Sequence, residues 1–123
     1  RQRQMCIRDR LTEKGMLIVA VPNCSSYDAG RYGEYWAAYD VPRHLWHFTP
    51  VTIQQLASRH GFIMAARHPM PFDAFYVSML SEKHRGSSCS FLKGMYAGTL
   101  AWFSTLGRKE RSSSMIYVFR KKR

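Results

Sequence analysis

Hydrophobic and polar positions alternate in blocks along this 123-residue chain. Met16 to Val21 (MLIVAV) is a short continuous apolar run rich in branched residues, the pattern of a strand buried on both faces of a parallel sheet. Leu11 to Gly15 before it reads as a helix end with Gly15 just past the last turn. Pro22 stops the run, and Asn23, Cys24, Ser25 and Ser26 follow as loop residues. Thr49-Pro50 opens the clearest element. Thr49 can cap, Pro50 suits the first helical position, and Ile53, Leu56 and Ala57 share one helical face. Gly61 closes that helix, and Phe62 can pack back over its end.

The remainder alternates in the same way. Phe62 to Arg67 predicts a strand, broken by Pro69 and Pro71. Phe72 to Leu80 fits a helical turn or short helix, and Ser81 to Ser90 a polar loop. Phe91 to Leu106 is long and apolar, Gly107 to Ser114 is a polar turn, and Met115 to Phe119 predicts a final strand. Helices alternating with strands give an α/β chain of one domain's length. In such sheets ligands sit beyond the carboxyl ends of the strands, which favours the loop at Asn23.

Composition narrows the class. Hydrophobic residues make up 46%, charged residues 22% and aromatics 14%, which excludes a disordered or collagen-like chain. No run of about eighteen apolar residues is present, and the charged start lacks the apolar region of a signal peptide. Cys6, Cys24 and Cys89 form an odd, scattered set without CxxC. That argues against a disulfide framework or zinc finger and fits a reducing, cytoplasmic compartment.

The net charge of +11 on its own suggests nucleic acid or anionic membrane as a partner. Its distribution changes that picture. Arg1, Arg3, Arg8 and Arg10 against Asp9 contribute +3, and Arg120 to Arg123 contribute +4, leaving +4 for the middle. Charged ends are usually solvated tails, so a nucleic-acid partner is not expected. Residues 1–10 (RQRQMCIRDR) show no helical or strand period and no cap. They resemble the translated sequencing-adapter run found at broken ends of assembled genes, and are set aside from the fold like a tag. The expected organisation is thus a non-native run at 1–10, one domain at 11–121, and a basic tail at 122–123.

Between Tyr27 and Phe48 lies the richest chemistry. Tyr27, Tyr32, Tyr35, Trp36 and Tyr39 can form a lid over a substrate or cover a sheet edge as a satellite core, with Trp36 the foremost candidate for a lid contact. Asn23 can orient a substrate with its amide or close an Asx turn. Arg43 can hold a carboxylate or phosphate in bidentate fashion, or pair with Asp40. His44 and His47 can serve as bases near neutral pH, or pack near the helix start. Asp40, His44 and His47 as a metal site would need further ligands that the spacing does not supply.

The stretches EKG-MLIVAVPN, YWAAYDVPRHLWHFTP, a helix ending in HGF and a closing MIYVFRK strand together resemble the C-terminal half of a class I S-adenosylmethionine-dependent methyltransferase, of the branch described as methyltransferase domain 23-like. Asp40, Pro42, Arg43, His44, His47, Phe48 and Thr49 match that family's D-x-PRH-x-x-HF-T motif, and Glu13-Lys14-Gly15 stands where its turn before the fifth strand lies. The resemblance covers Leu11 to Lys121. It implies the later part of a Rossmann-like sheet: a buried parallel strand, a helix and a closing antiparallel strand pair. It also implies transfer of a methyl group from S-adenosylmethionine to a small-molecule acceptor.

On that reading His44 and His47 are candidate catalytic residues, and Asn23, Tyr27, Trp36 and Arg43 are candidate substrate contacts. No cofactor-binding or metal-binding residue is expected. The family's glycine-rich cofactor loop has no counterpart here, Gly30 and Gly33 being an isolated pair in an aromatic segment. The expectation is a methyltransferase fragment that is inactive as it stands and prone to self-association. Helix 91–106, with Gly94 and Gly98 spaced as GxxxG and basic flanks, can cover the sheet or the substrate pocket, or make a peripheral membrane contact. The rival reading is a small basic α/β module that docks on nucleic acid or anionic membrane.

Overall fold

A computed structural model describes residues 7–122. Three strands, β1 (Met16–Pro22), β2 (Phe62–Pro69) and β3 (Ser114–Lys121), form one sheet in the order β1-β3-β2. Both outer strands run antiparallel to the central one. Four helices follow β1, namely α1 (Tyr27–Tyr32), α2 (Pro50–Arg59), α3 (Asp73–His84) and α4 (Ser90–Gly107), and single 3-10 turns lie at Gly33–Tyr35, Ala37–Tyr39 and Lys109–Arg111.

The architecture is mixed α/β, with a correction to the expected sheet. β1 is not buried on both faces beside a parallel neighbour. It is an edge strand whose residues alternate between exposed and half-buried, and its hydrogen-bonded neighbour is antiparallel. Leu17, Val19 and Val21 turn inward onto Met115, Tyr117 and Phe119 of β3, Phe62 of β2 and Ile53 of α2. Met16, Ile18 and Ala20 turn outward, and Ile18 is 63% exposed. A continuous apolar run cannot by itself distinguish two covered faces from one. Because β1 and β2 both oppose β3, they run in the same sense, and α2 lies on the connection between them.

Helix α2 begins as its sequence dictates. The Thr49 hydroxyl accepts from the Thr52 N–H at 3.1 Å, the Thr52 hydroxyl accepts from the Thr49 N–H at 2.8 Å, and Pro50 takes the first turn. Ile53 is buried and Ala57 half-buried against the sheet. Gly61 adopts φ 76°, the left-handed conformation that ends a helix cheaply only in glycine, and Phe62 is buried behind it.

Several element boundaries differ from the sequence reading, and three of them bear on the packing. Residues 7–10 are helical, with the Leu11 N–H donating to the Ile7 carbonyl at 3.2 Å. Ile7 borders the inner apolar cluster, and the Arg8 guanidinium lies against Gly61. Residues 7–10 thus carry a helical turn although the sequence shows no helical period there; residues 1–6, with Cys6, lie outside the described residues. Gly15 closes a turn on the Thr12 carbonyl rather than ending a helix. Helix α3 runs on to His84 because Ser81 and Glu82, polar in sequence, face inward.

The helices build a second apolar cluster from Ala29, Tyr32, Trp36, Ala38, Val77 and Ala97. Within it α3 and α4 pack as a hairpin. A Cβ on Gly94 would lie 2.6 Å from the Met79 Cα, and one on Gly98 2.8 Å from the Phe75 Cα, so the GxxxG spacing serves contact inside the chain. Buried polar side chains join the two clusters. Asp28 of α1 accepts from the Trp36 indole at 2.9 Å and from the hydroxyl of Ser113, which directly precedes β3.

Candidate functional site

The carboxyl end of β1 and the PRHLWHF segment meet through backbone contacts. Asn23 bridges Phe48, and both the N–H and the thiol of Cys24 donate to the Phe48 carbonyl, at 3.0 and 3.2 Å. The segment's own turn is set at Asp40, which is left-handed with φ 41° and precedes a cis Val41–Pro42 bond. The Asp40 carbonyl accepts from the N–H groups of Arg43 at 2.8 Å and His44 at 3.1 Å. The result is a groove of about 260 Å³ between Val21 and Pro22 on one side and Arg43, His44 and His47 on the other.

Three of the predicted residues line this groove. The Arg43 side chain is 82% exposed and sits 3.6 Å from the Asp40 carboxylate. An exposed pair at that distance contributes little and leaves the guanidinium available. His44 is exposed. The His47 ring stands edge-on to Tyr39, with centroids 4.8 Å apart, and its Nε2 lies 3.0 Å from the Tyr39 carbonyl. A carbonyl only accepts, so Nε2 carries the proton and the lone pair of the neutral ring is on Nδ1.

The other three are placed differently. Asn23 is buried at the end of β1. Its Nδ2 donates to the carbonyls of Glu110 at 2.7 Å and Ser112 at 3.0 Å, and its Oδ1 accepts from the N–H and hydroxyl of Ser25 at 3.1 and 2.7 Å. Both amide protons and both lone pairs are used, so the side chain ties the β1 end to the start of β3. Trp36, expected as a lid contact, is instead a core residue. It packs edge-on against Tyr39 at 5.0 Å. An aromatic-rich segment looks alike in sequence whether it faces a ligand or a core, and here Asp28 supplies the buried partner its N–H needs. Tyr27, the first residue of α1, is half-buried.

The sequence reading missed a set of buried polar groups beneath the aromatic segment. The Tyr32 hydroxyl donates to Glu82 of α3 at 3.2 Å, and both residues are buried. Burial raises the Tyr32 pKa, and the neighbouring Glu82 charge raises it further. Asp28 Oδ1 and the hydroxyls of Ser78 and Ser112 are buried without a partner among the described residues. Nothing in the local pattern marks Asp28 or Glu82 as inward-facing.

A second hollow of about 240 Å³ lies between the sheet and α2, lined by Ile7, Leu17, Val19, Ile53 and Phe119. It is almost wholly apolar, with His60 the one ionisable residue along it among the described residues, so it offers little to orient a substrate. Among the described residues no group of three or more His, Cys, Asp or Glu is placed to hold a metal ion, and Cys24 and Cys89 are free thiols. No helix among them is long and apolar enough to cross a membrane. No family model matches the chain, and no curated protein or solved structure matches it.

Proposed function

We propose that this chain is the later part of a class I S-adenosylmethionine-dependent methyltransferase domain, and that its share of the work is to receive a small-molecule methyl acceptor. The observation that carries the reading is the seam between Cys24 and Phe48. It holds the motif Asp40 to Thr49 at the carboxyl end of β1, where α/β sheets take their ligands. Two same-sense strands linked through a helix, with the last strand antiparallel between them, are consistent with the resemblance.

Within the groove, Arg43 offers a forked cationic donor for a carboxylate or phosphate on the acceptor. His47 offers Nδ1 as an acceptor for a proton, its ring held by Tyr39, and His44 offers a second imidazole. The chain's own residues do not fit S-adenosylmethionine. Gly33 is left-handed at φ 55°, but it follows helix α1 rather than a strand, and a Cβ on Gly30 would meet nothing within 4 Å. Neither glycine forms the tight strand-to-helix cradle that a nucleotide-like cofactor needs. The cofactor would be bound by sequence preceding Leu11 in the parent gene.

The test is to read the source DNA upstream of the Leu11 codon, express the extended frame and assay methyl transfer. A strand followed by a glycine-rich loop is expected there. In the extended protein, Arg43→Ala should raise KM for the acceptor and His47→Ala should lower kcat, with cofactor affinity unchanged in both. An upstream frame without such a loop sinks the reading, as do groove variants that leave kcat/KM at the parent value.

A further inference from the structure

Helix α4 is apolar on its inner face and, apart from Thr99, on its outer face, with Lys93 and Ser104 between the two, and the rest of the chain covers only the inner one. Gly94, Ala97, Gly98, Ala101 and Thr105 form the buried side, where the two glycines meet α3. Leu92, Tyr96, Phe103 and Leu106 fall on the opposite side at helical spacing and are 58–69% exposed. A helix apolar on two opposite faces buries the second in a core or against lipid. No helix among the described residues can cross a membrane, which leaves contact along the surface.

Charge identifies the occupant. From Lys83 to Arg111 the cationic side chains are Lys83, Arg85, Lys93, Arg108, Lys109 and Arg111, and all six are exposed. They gather at the two ends of α4. The one acidic residue in that stretch, Glu110, pairs with Arg67, and the preceding Glu82 is buried against Tyr32. A second copy of this chain would bring like charges together around the apolar patch. A protein core would have to bury or skirt six cations. An anionic lipid surface accepts both features at once.

We propose that the α3–α4 hairpin docks flat on an anionic membrane. Leu92, Tyr96, Phe103 and Leu106 enter the boundary between headgroups and acyl chains, and the cations at both ends of α4 meet lipid phosphates and carboxylates. This inference is independent of the methyltransferase reading, because its residues lie outside the groove at 43–48.

The test is cosedimentation of the full chain with phosphatidylcholine vesicles, with and without about 30% phosphatidylserine. Binding is expected only with the anionic lipid, and it should weaken about tenfold or more between low and high salt. The double variant Leu92→Ser/Phe103→Ser changes exposed positions only, so it should keep the fold by circular dichroism and lose about tenfold or more of the binding. Lys109→Glu/Arg111→Glu should weaken binding comparably. Three results would overturn the proposal: no binding to anionic vesicles, undiminished binding by Leu92→Ser/Phe103→Ser, or a dimer that this double variant dissociates in the absence of vesicle binding.

Discussion

Trp36 donates its indole N–H to Asp28 across 2.9 Å, and both residues are about 1% exposed. The same carboxylate oxygen takes the Ser113 hydroxyl, so one acidic group ties the aromatic segment to the start of the central strand. Asp28→Ala strands two buried donors and opens a void. It should lower stability by about 2–4 kcal/mol, the range for a broken buried polar network. Asp28→Asn keeps the shape and one acceptor, and should cost less, about 1–2 kcal/mol. Urea unfolding followed by Trp fluorescence reads both. Equal stability for Asp28→Ala and the parent chain would mean the contact is incidental.

The glycine contacts of α4 make a sharper case. At 2.6 Å from the Met79 Cα, a Cβ on Gly94 meets backbone, which cannot rotate away. Gly94→Ala should therefore destabilise the chain by about 1–3 kcal/mol through overpacking, although alanine is the better helix former. Thr99→Ala, on the same helix but facing away from α3, is the control and should stay within about 0.5 kcal/mol. A thermal melt in which Gly94→Ala is more stable than its parent would refute the close helix approach.

Which of these relationships a reader of the sequence can foresee depends on how local they are. The cap at Thr49, the proline after it and the left-handed Gly61 are properties of neighbouring residues, and helix α2 follows from them. The inward turn of Trp36 is different. It requires Asp28, eight residues earlier, and Ser113, at the far end of the chain, and nothing in the sequence links the three. Asn23 is legible as a loop residue after Pro22, but its two donor bonds reach 87 and 89 residues ahead. Ser81 and Glu82 read as loop because they are polar. In the fold the Ser81 hydroxyl returns to the Val77 carbonyl at 2.7 Å and Glu82 meets Tyr32, which lets α3 continue through them. The groove was legible in part, since Arg43, His44 and His47 fall within five residues of one motif, whereas its opposite wall depends on how β1 ends.

Alkaline pH should expose the buried tyrosines. Burial pushes the Tyr117 hydroxyl from 10.0 up to about 12, and Tyr32 is also raised. The unfolded chain therefore releases these protons first as pH rises. Their contribution to stability is complete below about pH 10 and is lost as the pH climbs toward 12. Tyr117→Phe removes one such group. Its urea midpoint should fall less steeply than the parent's between pH 10 and 11.5, with the two curves parallel at neutral pH. Parallel curves throughout the alkaline range would show that Tyr117 does not titrate in the unfolding step.

The outer side of the sheet yields the last expectation. β1 has a free edge among the described residues, and Met16, Ile18 and Ala20 share the outward face with Ile116 and Val118 of β3. In antiparallel pairing, directly opposed residues point to the same face, so Ile18 and Val118 form one apolar row. An open edge beside an exposed apolar face is a template for pairing with another chain. If neighbouring strands of a larger domain normally extend this sheet, the isolated 123-residue chain should self-associate through β1 at micromolar concentrations. Ile18→Lys places a charge on the exposed face without disturbing Leu17 or Val19, and it should shift sedimentation velocity profiles toward monomer. Leu92→Ser on α4 should leave that shift untouched. A chain that sediments as a monomer at every concentration, with a sharp and concentration-independent melt, would show that the sheet is complete with three strands.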